Sequence, residues 1–213
     1  MQETRHWNIL VTKYLKSYDQ VQLCKQIKFV TLLQIDYMQN SIIKPPRTML
    51  EAFKSFPEGT LVQLINNQII MAAAPLDIHQ LVLGDIFVEI TTHIKKNKLG
   101  QSRVAPYDVY LSNRNVFQPD ICFIANENLN KIEEDGLHGA PDLVIELLSP
   151  STSKYDLDDK KDAYERYGVK EYFIVEPATK SIAHYWLVNG EYEKQQTKDG
   201  TITSKLLNCE ITF

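Results

Sequence analysis

The chain has 213 residues, 44% of them hydrophobic and 23% charged, enough apolar material for one full core with an appendage. A net charge of −4 and a sequence pI of about 5.8 leave no global basic field, which argues against a non-specific nucleic-acid coat but not against an enzyme with a local site. Cys24, Cys122 and Cys209 suggest neither a disulfide framework nor a zinc cluster, the N-terminus carries no apolar signal core, and no apolar run reaches membrane-helix length, so a reducing, cytoplasmic setting without a membrane is expected.

Residues 1–45 are expected to form a helical appendage, since Trp7, Leu10, Val11, Tyr14, Tyr18 and Val21 recur at helical spacing. Lys44-Pro45-Pro46-Arg47 breaks that pattern and marks the start of the main domain, residues 46–213. A short helical segment after Thr48 closes near Phe56-Pro57-Glu58-Gly59. Residues 61–65 and 68–73 then read as a hairpin, because the intervening Asn66-Asn67 pair tolerates the positive φ of a tight turn. From Pro75 to Lys98 the period becomes 3.6, with Pro75 in the first turn, Asp77 complementing the dipole, and Lys95, Lys96 and Lys98 with Gly100 closing the helix.

Residues 102–111 and 117–124 read as strands joined by the turn 112–115, and residues 125–140 as a loop or short helix ending at Gly136 and Gly139. Residues 141–177 read as buried strand, Ser/Pro-rich turn, short helix and second buried strand. A hairpin around Asn189-Gly190 follows, and the tail 206–213 adds one edge strand. The fold class is mixed α/β (α+β).

Glu146 stands inside the apolar run Leu143-Val144-Ile145-Glu146-Leu147-Leu148, where a carboxylate needs a cation or a proton. Asp120 begins the neighbouring apolar strand directly after Pro119, a strand-start or edge position. Two carboxylates on adjacent strands can chelate one hard divalent ion, Mg²⁺ or Mn²⁺, with the Leu147 carbonyl as third ligand. For Asp120 alone the competing reading is a turn-capping aspartate.

A lysine completes such a site by orienting the attacking water or holding developing charge. In a helix over 155–167, at about 100° per residue from Leu157, Lys160 lies near −60°, within the apolar stripe that includes Tyr164, and Lys161 near +40°, at its edge. Lys160 therefore points toward the sheet, with Asp156 one turn before it as a pairing partner; the competing reading is a snorkelling lysine. His79, in the first turn of the long helix, is a candidate metal or phosphate contact or simply structural. The run Ser149–Ser153 reads as helix capping, since no His–Asp relay accompanies it.

Together these motifs resemble the Uma-two family of restriction-endonuclease-like proteins within the PD-(D/E)XK nuclease superfamily. The resemblance rests on Gln118-Pro119-Asp120, on the run from Ala140 to Thr152, and on Tyr167-Gly168-Val169-Lys170-Glu171-Tyr172 running into Glu176-Pro177, and covers roughly residues 48–213. It implies a restriction-endonuclease-like core, a mixed central β-sheet flanked by helices, with Asp120 as the PD aspartate and Glu146 as the glutamate of the E-x-K element. Leu148 occupies the E-x-K lysine position, and the family's lysine on the following helix matches Lys160. Gln63 stands where the family usually has a hairpin glutamate, although an amide oxygen can still ligate; His79 matches a histidine common in the family.

The expected function is a Mg²⁺- or Mn²⁺-dependent DNA endonuclease, with DNA as substrate and a homodimer as the candidate assembly. The alternative is a catalytically weak or inactive nuclease-fold protein that binds DNA or a protein partner, a reading motivated by Gln63.

Overall fold

The computed structural model describes residues 45–149 and 158–213. The helical appendage expected over residues 1–45 lies, apart from Pro45, outside the described residues, as does the capping role expected within 149–153, apart from Ser149. Thr48 opens α1 (Met49–Lys54) by accepting the Glu51 N–H on its hydroxyl at 3.1 Å. β1 (Val62–Ile65) and β2 (Gln68–Met71) pair antiparallel around Asn66 and Asn67, both at positive φ (48° and 66°), as the asparagine pair predicts.

α2 (Asp77–Asn97) buries Val82, Leu83, Ile86, Ile90 and Ile94 and differs from expectation at both ends. Pro75 stands before the cap residue Leu76, outside the first turn. Lys98, not Gly100, takes the left-handed closing position at φ 54° and ψ 41°, while Gly100 already belongs to β3 (Gly100–Val104).

Two expected strands are each divided at a proline. The first becomes β3 and β4 (Val109–Ser112), interrupted at Ala105-Pro106; the second becomes β5 (Asn115–Phe117) and β6 (Ile121–Ala125), interrupted at Gln118-Pro119. Proline offers no N–H to a ladder, and at both breaks the chain leaves one sheet for the other. The stretch expected as loop or short helix holds a 3₁₀ helix over Asn126–Lys131 and two short strands, β7 (Ile132–Glu133) and β8 (Gly136–His138). One six-stranded sheet runs β2-β1-β5-β4-β8-β7.

The second six-stranded sheet adds β9 (Leu143–Leu147), β10 (Glu171–Val175), β11 (Ile182–Val188) and β12 (Glu191–Lys194) in the order β12-β11-β10-β9-β6-β3. β9 and β10 are parallel, as their connection through α3 (Lys160–Tyr167) permits, whereas β6 and β9 are antiparallel with Ile121 opposite Ile145. This sheet is apolar on both faces. Leu143, Ile145 and Leu147 join α2 in one core cluster, while Val144, Tyr172 and Ile174 join Tyr164 and Phe117 in another.

The tail differs from the single edge strand expected: β13 (Thr201–Ser204) and β14 (Cys209–Thr212) form their own two-stranded sheet. The backbone of Lys205 and Leu206 is spent on the Glu171 carboxylate, not on a sheet edge. Among the described residues no helix is long and apolar enough to cross a membrane.

Candidate active site

All five residues of β9 are buried, and side chains alternate across a strand, so Glu146 falls on the Val144 face, toward α3. Its side chain, in a residue only 2% exposed, finds the cation that burial demands. Lys160, the first residue of α3 and likewise 2% exposed, donates from Nζ to Glu146 Oε1 at 3.0 Å, and Tyr164 donates its hydroxyl to the same oxygen at 2.8 Å. The inward direction that helical spacing predicts for Lys160 and Tyr164 is the one observed. Asn66 in the β1–β2 turn donates to Asp159 at 2.8 Å, tying the start of α3 to the first sheet, and Gly168 at φ 85° closes the helix. Phe117 packs edge-on against Tyr164 with ring centroids 5.4 Å apart.

Extending the β6–β9 register by one residue past Ile121 and Ile145 sets Asp120 opposite Glu146. Asp120 Oδ2 accepts the Leu147 N–H of the neighbouring strand at 2.7 Å. His79 Nε2 lies 3.2 Å from the Leu147 carbonyl and 3.4 Å from Asp120 Oδ2. Both neighbours only accept, so Nε2 carries the proton. Burial lowers the pKa of the imidazole, but the Asp120 hydrogen bond and charge, the Leu147 carbonyl and the Glu146 charge outweigh it and raise it above the ordinary histidine value.

Gln63, 5% exposed, is fixed by a different partner: its Oε1 accepts the Gln118 backbone N–H at 3.0 Å. The amide oxygen expected as a spare metal ligand is therefore already engaged. Gln63, His79, Asp120, Glu146, Leu147 and Lys160 line one open cleft of about 460 Å³. Tyr164 lies behind that wall, fully buried, and Asp156 lies outside the described residues. Lys161, expected at the edge of the stripe, sits partly exposed 5.3 Å above the Tyr185 ring.

Three further polar centres were not foreseen. Asp142 accepts from the Ala125 N–H at 2.8 Å, from Asn128, and from Lys170 Nζ at 2.7 Å. Glu171, 0% exposed, accepts from His184, Ser204, and the Lys205 and Leu206 N–H groups. Each has its oxygens filled and lies outside the cleft lining, so both hold structure. The signal available in sequence was the one that picked out Glu146, an acid at the border of an apolar strand.

Glu133, Asp135 and His138 bring ligand-type atoms within 4.8 Å of one another on the β7–β8 hairpin. Asp135 already accepts from His138 at 2.8 Å and from Lys54 Nζ at 2.9 Å, and these bonds hold its carboxyl down at about 2. That cluster is an exposed ion-pair network joining α1 to the hairpin.

The model of the family Uma2, described as "Putative restriction endonuclease", matches residues 49–212. Among solved structures, a "putative nuclease belonging to DUF820" from Anabaena variabilis superimposes with a TM-score of 0.65 at 17% identity, covering 78% of this chain and 95% of that one. That likeness places the architecture in the restriction-endonuclease-like fold. No curated protein matches the chain.

Proposed function

This chain belongs to the Uma2 family of restriction-endonuclease-like nucleases, and from that premise we propose that it is a divalent-metal-dependent DNA endonuclease acting at the cleft of Asp120, Glu146 and Lys160. The observation that carries the reading is the buried Glu146–Lys160 pair, backed by Tyr164, opening on the same cleft as Asp120. The donor set fits a hard cation. Asp120 takes both of its described contacts on Oδ2, leaving Oδ1 without a hydrogen bond among the described residues, and the carboxylates and Leu147 carbonyl are all oxygen donors. Asp120, Glu146 and the Leu147 carbonyl would hold Mg²⁺ or Mn²⁺, which when bound polarises a phosphoryl oxygen as a Lewis acid.

The chain's own residues do the rest. Lys160 carries a fixed positive charge at the cleft wall, where it orients the attacking water and offsets charge gathering on the phosphoryl oxygens. Glu146 holds that ammonium in place and Tyr164 in turn fixes Glu146, which limits the reorganisation needed when charge develops. His79 braces Asp120 and the Leu147 carbonyl from α2. The family description, a restriction endonuclease, supports DNA as the substrate. The odd cysteine count supports a reducing, cytoplasmic setting.

A plasmid-nicking assay with Mg²⁺ or Mn²⁺ tests the reading. Asp120→Ala and Glu146→Gln are each expected to lose at least about a hundredfold in rate, and equal nicking by all three proteins eliminates it. The engagement of Gln63 Oε1 by Gln118 favours one rival, a nuclease fold that binds DNA or a partner without cutting. Calorimetric titration with Mn²⁺ separates the two: binding that vanishes in Asp120→Ala counts against the rival.

A further inference from the structure

Two elements lead away from the cleft, and each ends at an exposed arginine. Arg114 and Gln118 flank β5, and Gln118 lines the cleft, so about 13 Å of extended chain separates Arg114 from it. Arg166 lies in the last turn of α3, about 9 Å of helix beyond the cleft-lining Lys160. Both arginines are exposed.

The two ends meet at Tyr167. Its hydroxyl bonds with the Ser112 and Asn115 side chains, and the Arg166 and Arg114 charges both act on it. The Ser112 bond, the Asn115 bond and the two charges outweigh burial and lower the phenol below its ordinary value. The turn that carries Arg114 is held firmly. Its carbonyl accepts the Asn67 N–H at 2.8 Å, Asn115 Oδ1 accepts the Asn66 N–H at 2.8 Å, and Asn66 reaches on to Asp159 at the start of α3.

Neither guanidinium is spent on the fold. Among the described residues, every salt bridge that does not involve histidine uses a lysine, and the hydrogen bonds of Arg114 are made by its backbone. Two guanidinium groups that act on one hydroxyl make a local positive site that the net charge of −4 does not announce. A guanidinium matches a phosphate bidentately, through a planar fork of donors.

We propose that Arg114 and Arg166 clamp the phosphate backbone of the strand whose scissile bond lies in the cleft. Phosphates of one strand follow each other about every 3.4 Å along the duplex axis, so the grip falls about three nucleotides from the cut. Both are positioning residues that fix register without reading bases. The inference rests on the nuclease reading, but its test uses binding without metal or cleavage, so either can fail alone.

Binding of a fluorescein-labelled DNA duplex to the full chain in EDTA would be followed by anisotropy over a range of salt concentrations. Each phosphate contact contributes about 0.9 to the slope of log K against log salt. Arg114→Ala and Arg166→Ala should each reduce that slope by about one. Together they should reduce it by about two and weaken binding at low salt at least tenfold. The double lysine variant, Arg114→Lys with Arg166→Lys, keeps the charges and should keep the slope, a rescue that a purely structural role does not predict. Lys95→Ala with Lys96→Ala, in the last turn of α2, removes two charges elsewhere and should leave the slope unchanged. Asp120→Ala should lose nicking but keep the slope, which separates a failed clamp from a failed nuclease reading. An unchanged slope in the double alanine variant, an equal fall in the Lys95 and Lys96 control, or no duplex binding by the wild type would each overturn the proposal. So would a preference of the same arginines for polyglutamate over duplex, which would assign the surface to an acidic protein.

Discussion

At Asp142, burial and hydrogen bonding pull one carboxyl in opposite directions. Burial disfavours its ionised form, but Lys170, the Ala125 N–H and Asn128 together win and lower the pKa below the ordinary carboxylate value. A lowered folded-state pKa gives stability that is fully present above the unfolded value of about 3.9 and is lost as pH falls through the folded one. Asp142→Asn should therefore be less stable by about 1–2 kcal/mol at neutral pH, with half-exposed Lys170 contributing the smaller share. Urea unfolding should show that gap closing as pH drops below about 4, and a gap constant to lower pH would remove the assignment. Glu146, Asp120 and Lys160 were legible as residues because each breaks a local pattern: an acid in an apolar run, an acid after a strand-breaking proline, a lysine on an apolar stripe. Asp142 was passed over although it is an acid at the border of an apolar strand, and Gln63 was marked only through the family resemblance, because their partners arrive from 17 and 55 positions away.

Among the elements, α2 carries a correctable defect. Lys98 holds a left-handed conformation that costs a side chain of L configuration about 1–2 kcal/mol, a cost glycine avoids. Lys98→Gly is expected to raise stability by about 1 kcal/mol, since the C-cap N–H bonds to Ile94 and Lys95 are backbone interactions and survive the change. A thermal melt that shows no gain counts against strain at this cap. The helix itself was readable from its period, yet the sequence offered Gly100 as the nearer conformational match for its end. Residues 102–111 read as one strand until the missing N–H at Pro106 is allowed to send the halves to different sheets, whereas Pro119 did mark a strand start, observed one residue later than Asp120, at Ile121.

For the whole molecule, Glu171 joins the parallel core strand β10 to the loop between β13 and β14. Glu171→Ala strips acceptors from Ser204, His184 and two backbone N–H groups, and at about 1–3 kcal/mol for each buried group left unpaired the loss should reach about 3 kcal/mol or more. Hydrogen exchange should report it as lost protection of β13 and β14 before the rest of the sheet; retained protection would show that apolar packing of Ile202 and Ile211 suffices. The class of fold was legible from the strand–helix–strand pattern and the family motifs. Sheet order was not, because pairings such as β1 with β5 and β4 with β8 join segments whose own residues encode only burial, not neighbour.

The parallel pairing of β9 with β10 also bears on how the protein comes into being. Glu146 sits on a strand whose second neighbour, β10, ends at Val175, and its cationic partner is residue 160. On a ribosome, the segment bearing Gln63, His79 and Asp120 emerges long before either of these. A nascent chain thus carries an incomplete cleft until residues 160–175 have been made, and whatever chemistry the cleft performs is withheld until then.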